Sequence, residues 1–184
     1  MTLRYLSIAL IGLGVLLFVT NWLVSRELSV VSNYTSDYVH TPAGALTNLG
    51  FIVTGVGMLA AVRFYRPVGV FEVDLFVYSV LFALLALFPT DAHDAHTSIG
   101  TIHTVLASAT IPLFPIMTGI ALALKPDVLS VELVVLPLVS LVCLVLMGLG
   151  VVAAPGIFQR VAIVSQTALV MVLVCKGRLI GAGL

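Results

Sequence analysis

Uncharged runs of roughly twenty residues recur along this chain with short polar stretches between them, and few sequence patterns constrain a fold more tightly. A hydrocarbon core offers no water to a backbone N–H or C=O, so a segment crossing it must be a helix or one strand of a closed barrel. Barrel strands alternate polar and apolar side chains, whereas these runs are apolar on every face. The pattern predicts helices. With 61% hydrophobic and 9% charged residues and a mean hydropathy of +1.24, the chain carries more apolar surface than a soluble core of 184 residues can hide.

Six runs suffice to cross a core of about 30 Å, which takes roughly 20 helical residues. They cover residues 3–25, 44–65, 74–90, 100–124, 131–152 and 158–180. The first exceeds the roughly 7 to 15 apolar residues of a secretory signal and lacks a small-x-small cleavage site, so it is expected to be retained. Lys and Arg in short loops stay on the cytoplasmic side. An even number of spans places both termini together, and Arg4, Arg63, Arg66, Lys125, Lys176 and Arg178 then share their side, leaving Arg26 and Arg160 on the other. The expectation is one all-α transmembrane bundle of six helices over residues 1–184, both termini cytoplasmic, in the cell membrane.

Lipid is the first expected partner. No tract is basic enough to follow a phosphate backbone, and aromatics are not interleaved with cations, which excludes nucleic acid as a natural ligand. Cys143 and Cys175 fall inside apolar runs and read as small packing groups rather than a disulfide. No internal repeat stands out, so the symmetry common in transporters is not expected.

Between the third and fourth runs, Asp91, His93, Asp94, His96 and His103 crowd together with no Lys or Arg nearby. Asp37 and His40, just before the second run, fall on the same outward side. This polar layer suits a metal ion, a lipid headgroup or a small solute. At about 100° per residue, His96 and His103 share one helix face if the fourth helix starts early, and His93 and His96 are neighbours as well. His93, His96 and His103 with Asp91 or Asp94 are a feasible tetrahedral zinc set, whose open position would activate water. The H-E-x-x-H arrangement of zinc proteases is absent. Haem held between His40 and His103 is the less favoured cofactor reading, with no c-type attachment motif to support it. The plain alternative for His93, Asp94 and His96 is an exposed polar loop. His103 stands apart because it lies a turn inside a span, where an ionisable group faces a polar interior and a partner; Asp91 and His40 are the expected partners.

Residues 26–43 form the longest connection on that side. Val30, Tyr34 and Tyr38 recur four apart, so a short interfacial helix would hold the tyrosines at headgroup depth; the sharper reading is a lid that lowers Asp37 and His40 over the cluster. Within the spans, Thr47, Thr54, Ser108, Thr110, Thr118, Ser165, Gln166 and Thr167 are expected to join helices by hydrogen bonds, and Asn48, with four bonding positions to fill, is expected to reach another polar helix. Gly12, Gly14, Gly50, Gly55, Gly57, Gly148 and Gly150 permit close helix approach. Pro112 and Pro115 are expected to loosen the fourth helix and free carbonyls that line a cavity. The acids of the opposite side, Glu72, Asp74, Asp127 and Glu132, read as solvated or headgroup-paired charges.

Phe88-Pro89-Thr90-Asp91, then His96 and Ile102-His103-Thr104, then Gly156-Ile157-Phe158-Gln159-Arg160, together with Val31-Ser32-Asn33-Tyr34, Asn48-Leu49-Gly50-Phe51 and Gly55, resemble the landmarks of the domain of unknown function 998 family. The resemblance covers nearly the whole chain. It implies a six-helix integral membrane protein of prokaryotic type without an established activity, and carries over Asp91, His96, His103 and Arg160 as family-like polar positions. His93 and Asp94 look peculiar to this sequence.

Arg160 starts the sixth run at the depth of the cluster, where it either pairs with Asp91 to hold the bundle or grips a phosphate or carboxylate headgroup as a bidentate fork. Three functional readings follow. The favoured one is a binding or transport-related module with an outward site for a metal ion, lipid headgroup or small solute. The second is a metal-dependent hydrolase of a lipid or amide, and the third an accessory or haem-binding subunit packed in an oligomer or larger membrane complex.

Overall fold

The computed structural model describes residues 2–65, 70–92, 95–124, 130–150 and 153–181. Its helices are α1 (Thr2–Val24), α2 (Gly44–Tyr65), α3 (Val70–Leu84), α4 (Ser98–Leu124), α5 (Val131–Gly148) and α6 (Pro155–Gly181), with a short 3-10 helix, Thr35–His40, between α1 and α2. There is no strand among the described residues. α1, α2, α4, α5 and α6 each hold a stretch long and apolar enough to cross a membrane.

The third run is shifted from expectation: its helix begins at Val70 and stops at Leu84 rather than covering 74–90. Its fifteen residues make roughly 22 Å of helix. The stop has a local cause. Ala86 and Leu87 bond to carbonyls three residues back, a tightening typical of helix ends, and Pro89 pushes Phe88 out of helical geometry. α4 begins at Ser98, two residues early, because Thr97 caps it. α6 begins at Pro155, three residues early, since proline's missing N–H is no loss in a first turn. α5 ends at Gly148 instead of 152, with Gly150 in the left-handed region at φ 64°.

Helices that follow one another in sequence pack side by side, and α6 also touches α1, α2 and α4. Phe18, Phe51, Phe82, Tyr78 and Phe114 form an aromatic column through α1 to α4, ending in a stacked Tyr78–Phe114 pair 4.3 Å apart. Such rings fill volume where no water can. Leu13, Leu16 and Leu23 of α1 and Val134, Leu138 and Val142 of α5 remain exposed, as side chains facing lipid do. The protein is an integral membrane protein.

Glycine placement explains how close α1 and α2 lie. A side chain at Gly14 would collide with Thr54, one at Gly50 with the Phe18 ring and one at Gly57 with Ile11. Gly55 plays this part against Ser79 and Ala83 of α3, whereas Gly12 and Gly148 face open space. Ser7 uses the close approach to donate to the Gly57 carbonyl at 2.8 Å.

Inside the bundle the proline expectation takes a specific form. An α-helical N–H at position 115 would serve the Ile111 carbonyl, but Pro115 has none. Gln166 of α6 replaces it, donating Nε2 to Ile111 O at 2.6 Å and to Ser140 Oγ at 2.8 Å while its Oε1 accepts from Tyr78 at 2.7 Å. One amide thus joins four helices. The part expected of Asn48, which is only half-buried and makes no side-chain hydrogen bond among the described residues, falls to Asn21 of α1. Fully buried, Asn21 donates to Tyr38 O and Thr47 Oγ1 and accepts from Ser25 and Thr41. Asp74 also departs from expectation, being 3% exposed and bonded to Thr118 of α4 rather than solvated.

Gly57→Val should lower the unfolding midpoint in detergent, at a cost of about 1–3 kcal/mol for overpacking. Gly12→Val should leave the midpoint within roughly 0.5 kcal/mol of the parent, and unfolding followed by circular dichroism compares the two.

Candidate functional site

Three connections meet at one end of the bundle, those between α1 and α2, α3 and α4, and α5 and α6. Helix ends leave backbone groups without partners, and the polar residues singled out above largely serve them. Thr97 caps α4, its hydroxyl accepting from the Gly100 N–H at 3.0 Å. Asp91 reaches across to this cap, with Oδ1 accepting from the Thr97 hydroxyl at 2.6 Å and Oδ2 from the Thr97 N–H at 3.1 Å. Those two bonds hold its carboxyl below the usual carboxylate range. Gly100 is needed beneath it, because any Cβ there would strike the Asp91 carboxylate.

His103 turns away from this cap. Its Nδ1 donates to the Phe88 carbonyl at 2.6 Å, so α4 is pinned to the end of α3. His40 does the same from the other side, its Nε2 donating to the Thr90 carbonyl at 2.7 Å. The Phe-Pro-Thr segment is thereby gripped by two imidazoles, neither of which bonds Asp91. Because α4 starts at Ser98, His96 lies before the helix and not on a face shared with His103.

Arg160 is 6% exposed and pairs with no carboxylate among the described residues. Its Nη1 donates to the carbonyls of Val30, Asn33 and Gly156 at 2.7, 2.8 and 2.9 Å, and its guanidinium lies over the Trp22 and Tyr38 rings at 4.7 and 5.2 Å. The expected pair with Asp91 is replaced by this clasp on the long connection. Beside it Gln159 Oε1 accepts the Thr35 N–H at 2.7 Å, and the Gly156 N–H donates to Val31 O at 2.9 Å. Consequently the connection is not one interfacial helix, and of its two tyrosines Tyr34 is exposed as expected while Tyr38 is not. Residues 26–34 follow turns, and Tyr38 is fully buried, which pushes its hydroxyl up from its ordinary value against the opposing effect of Arg160.

Among the described residues, two sizeable cavities open at this end. The first, about 730 Å³, is lined by Glu27, Asp37, His40, Asp91 and His96, with Leu28, Asn33, Thr41, Ala92 and Ala95 completing the wall. Asp37 and His40 therefore do face Asp91 and His96, as a lid would require. Asp37 is fixed by a bond from the Tyr34 N–H to its Oδ2 at 2.8 Å. The second, about 570 Å³, lies between α4 and α5 under Tyr34 and Ser36, and holds His103 and Gln159 in its wall. His103 and Arg160 are thus separated from the first cavity. His93 and Asp94 lie outside the described residues. Among the described ones, no three His, Cys, Asp or Glu side chains gather closely enough to hold a metal ion, so His96, His103 and Asp91 do not form a ligand set by themselves. Sequence reasoning did not single out Glu27, Trp22 or Asn21, although an Asn beside a Trp near the end of an apolar run is a readable sign of buried polarity.

Residues 8–176 match the family described as protein of unknown function (DUF998). The chain belongs to this family. No curated protein and no solved structure matches it. Of the residues that carry the DUF998 resemblance, Phe88, Asp91, His103, Gln159 and Arg160 fasten connections at this end, through the Phe88–His103 bond, the Asp91–Thr97 cap and the Gln159–Arg160 clasp, whereas His96 lines the cleft.

Arg160→Met keeps the stem but leaves buried carbonyls without a donor, a loss of about 2–4 kcal/mol. Limited proteolysis should then cut residues 26–34 in a chain whose helices remain folded. For Asp91, a depressed carboxyl contributes stability at neutral pH that is lost as pH falls through its folded-state value. Protection factors of the amides at residues 97–100, corrected for the intrinsic slowing of exchange in acid, should fall on acidification, and Asp91→Asn should abolish that fall.

Proposed function

We propose that this protein is a six-span cell-membrane protein, both termini cytoplasmic, whose extracytoplasmic cleft binds a small organic cation as part of a binding or transport-related role. The observation that carries the reading is the lining of the larger cavity. Glu27, Asp37 and Asp91 contribute carboxylates and His40 and His96 imidazoles, with no Lys or Arg in the wall. Clefts lined by one sign of charge concentrate the opposite charge.

Size favours a molecule over a bare ion. A cavity of about 730 Å³ falls in the range of small-molecule sites, and the dispersed side chains match an amine or amine-bearing headgroup better than one chelated metal. Of the two outward cations, Arg160 is turned into the loop clasp and Arg26 is exposed but outside the lining, which leaves the described wall acidic. The excess of Lys and Arg near the opposite end supports the orientation.

Thermal unfolding in detergent with ethanolamine, choline or putrescine tests the reading against acetate and phosphate. Stabilisation by an amine, weakened about tenfold in affinity by Glu27→Gln or His96→Ala and reduced by salt, is expected. Glu27 and His96 are exposed and cap no helix, so folding should survive either change. Stabilisation by the anions alone, or by nothing in the set, would reject a cation site.

A further inference from the structure

Asp74 lies on the buried face of α3, at the far end of that helix from the cleft. Only 3% of it is exposed. Its Oδ2 accepts one long bond from the Thr118 hydroxyl of α4, at 3.3 Å, and its enclosed Oδ1 has no partner. An ionised carboxylate withdrawn from water needs several donors or a cation. Among the described residues, the surrounding elements supply neither. Tyr78, one turn along α3, gives its hydroxyl to Gln166; Arg63 in the last turn of α2 is exposed, as is Glu72 on α3 itself; α4 offers Thr118. Arg66, just before α3, and Lys125 and Asp127, after α4, lie outside the described residues.

We propose that Asp74 is a proton-binding site inside the bundle, a carboxylic acid that carries its proton in the resting protein. Protonation removes the charge that the enclosure cannot answer, and the Thr118 hydroxyl still has an oxygen to bond. An acid of this kind within membrane spans belongs to the chemistry of proton relays. One turn along α3, Tyr78 begins a polar line through Gln166 to Ser140 and the Ile111 carbonyl, to which no hydrogen bond joins Asp74 among the described residues. None of this depends on what the cleft binds.

An apolar carbodiimide tests the assignment on the full chain in detergent. A protonated carboxyl adds across the C=N bond, its proton passing to nitrogen and its oxygen to the central carbon, and acyl migration to nitrogen then fixes a stable adduct. Tandem mass spectrometry should find the adduct on Asp74 and not on exposed Glu72 at neutral pH, with labelling falling as pH rises. Asp74→Asn, isosteric with the neutral acid, should fold normally and lose the adduct. Should that variant fail to fold, the wild-type peptide map decides alone. Labelling of Glu72 to the same extent, no adduct on Asp74 at neutral pH, or protection of Asp74 by added sodium would overturn the proposal, the last in favour of a bound metal cation.

Discussion

Carbonyl oxygens without water are the constraint on which this structure depends. Wherever a helix ends or a proline interrupts it inside an apolar setting, an acceptor is exposed that solvent cannot reach. Buried side chains answer these acceptors one at a time: His103 at Phe88, Gln166 at Ile111, Asn21 at Tyr38 and Arg160 at Val30, Asn33 and Gly156. Each answer comes from a different helix than the acceptor, Arg160's bond within its own first turn aside, so satisfying the backbone and joining the helices are the same event.

Arg160 illustrates how far this goes. A buried guanidinium without a carboxylate is expensive, yet here two aromatic faces and three carbonyls share the charge, all of them neutral groups. The result keeps this guanidinium out of the lining of the neighbouring acidic cleft.

Much of the architecture was legible from runs and their interruptions: α2 matches its run from Gly44 to Tyr65, and α1, α4 and α6 fall within a few residues of theirs. Period and length suffice when every face is apolar. Boundaries at α3 and α5 were less readable because tightened turns and a left-handed glycine, not polarity, end them. At the site, the proximity of Asp37 and His40 to Asp91 and His96 followed from shared side and depth. The partners of His103 and Arg160 did not, since charge suggests pairing with charge, whereas a backbone carbonyl carries no mark in the sequence. Asp74 misled for a related reason: five residues into a helix whose first turn is acidic, it resembles a surface residue until the rotation of α3 turns it inward.

The bonds from Gln159 and Arg160 to residues 30–35 join positions 124 to 130 apart in the chain. During synthesis the earlier segments are inserted first, and residues 26–34 then wait, turned but unclasped, until the last helix arrives. The collar is therefore a late event in biogenesis, and α6 acts as the latch that converts a row of neighbouring hairpins into a closed body.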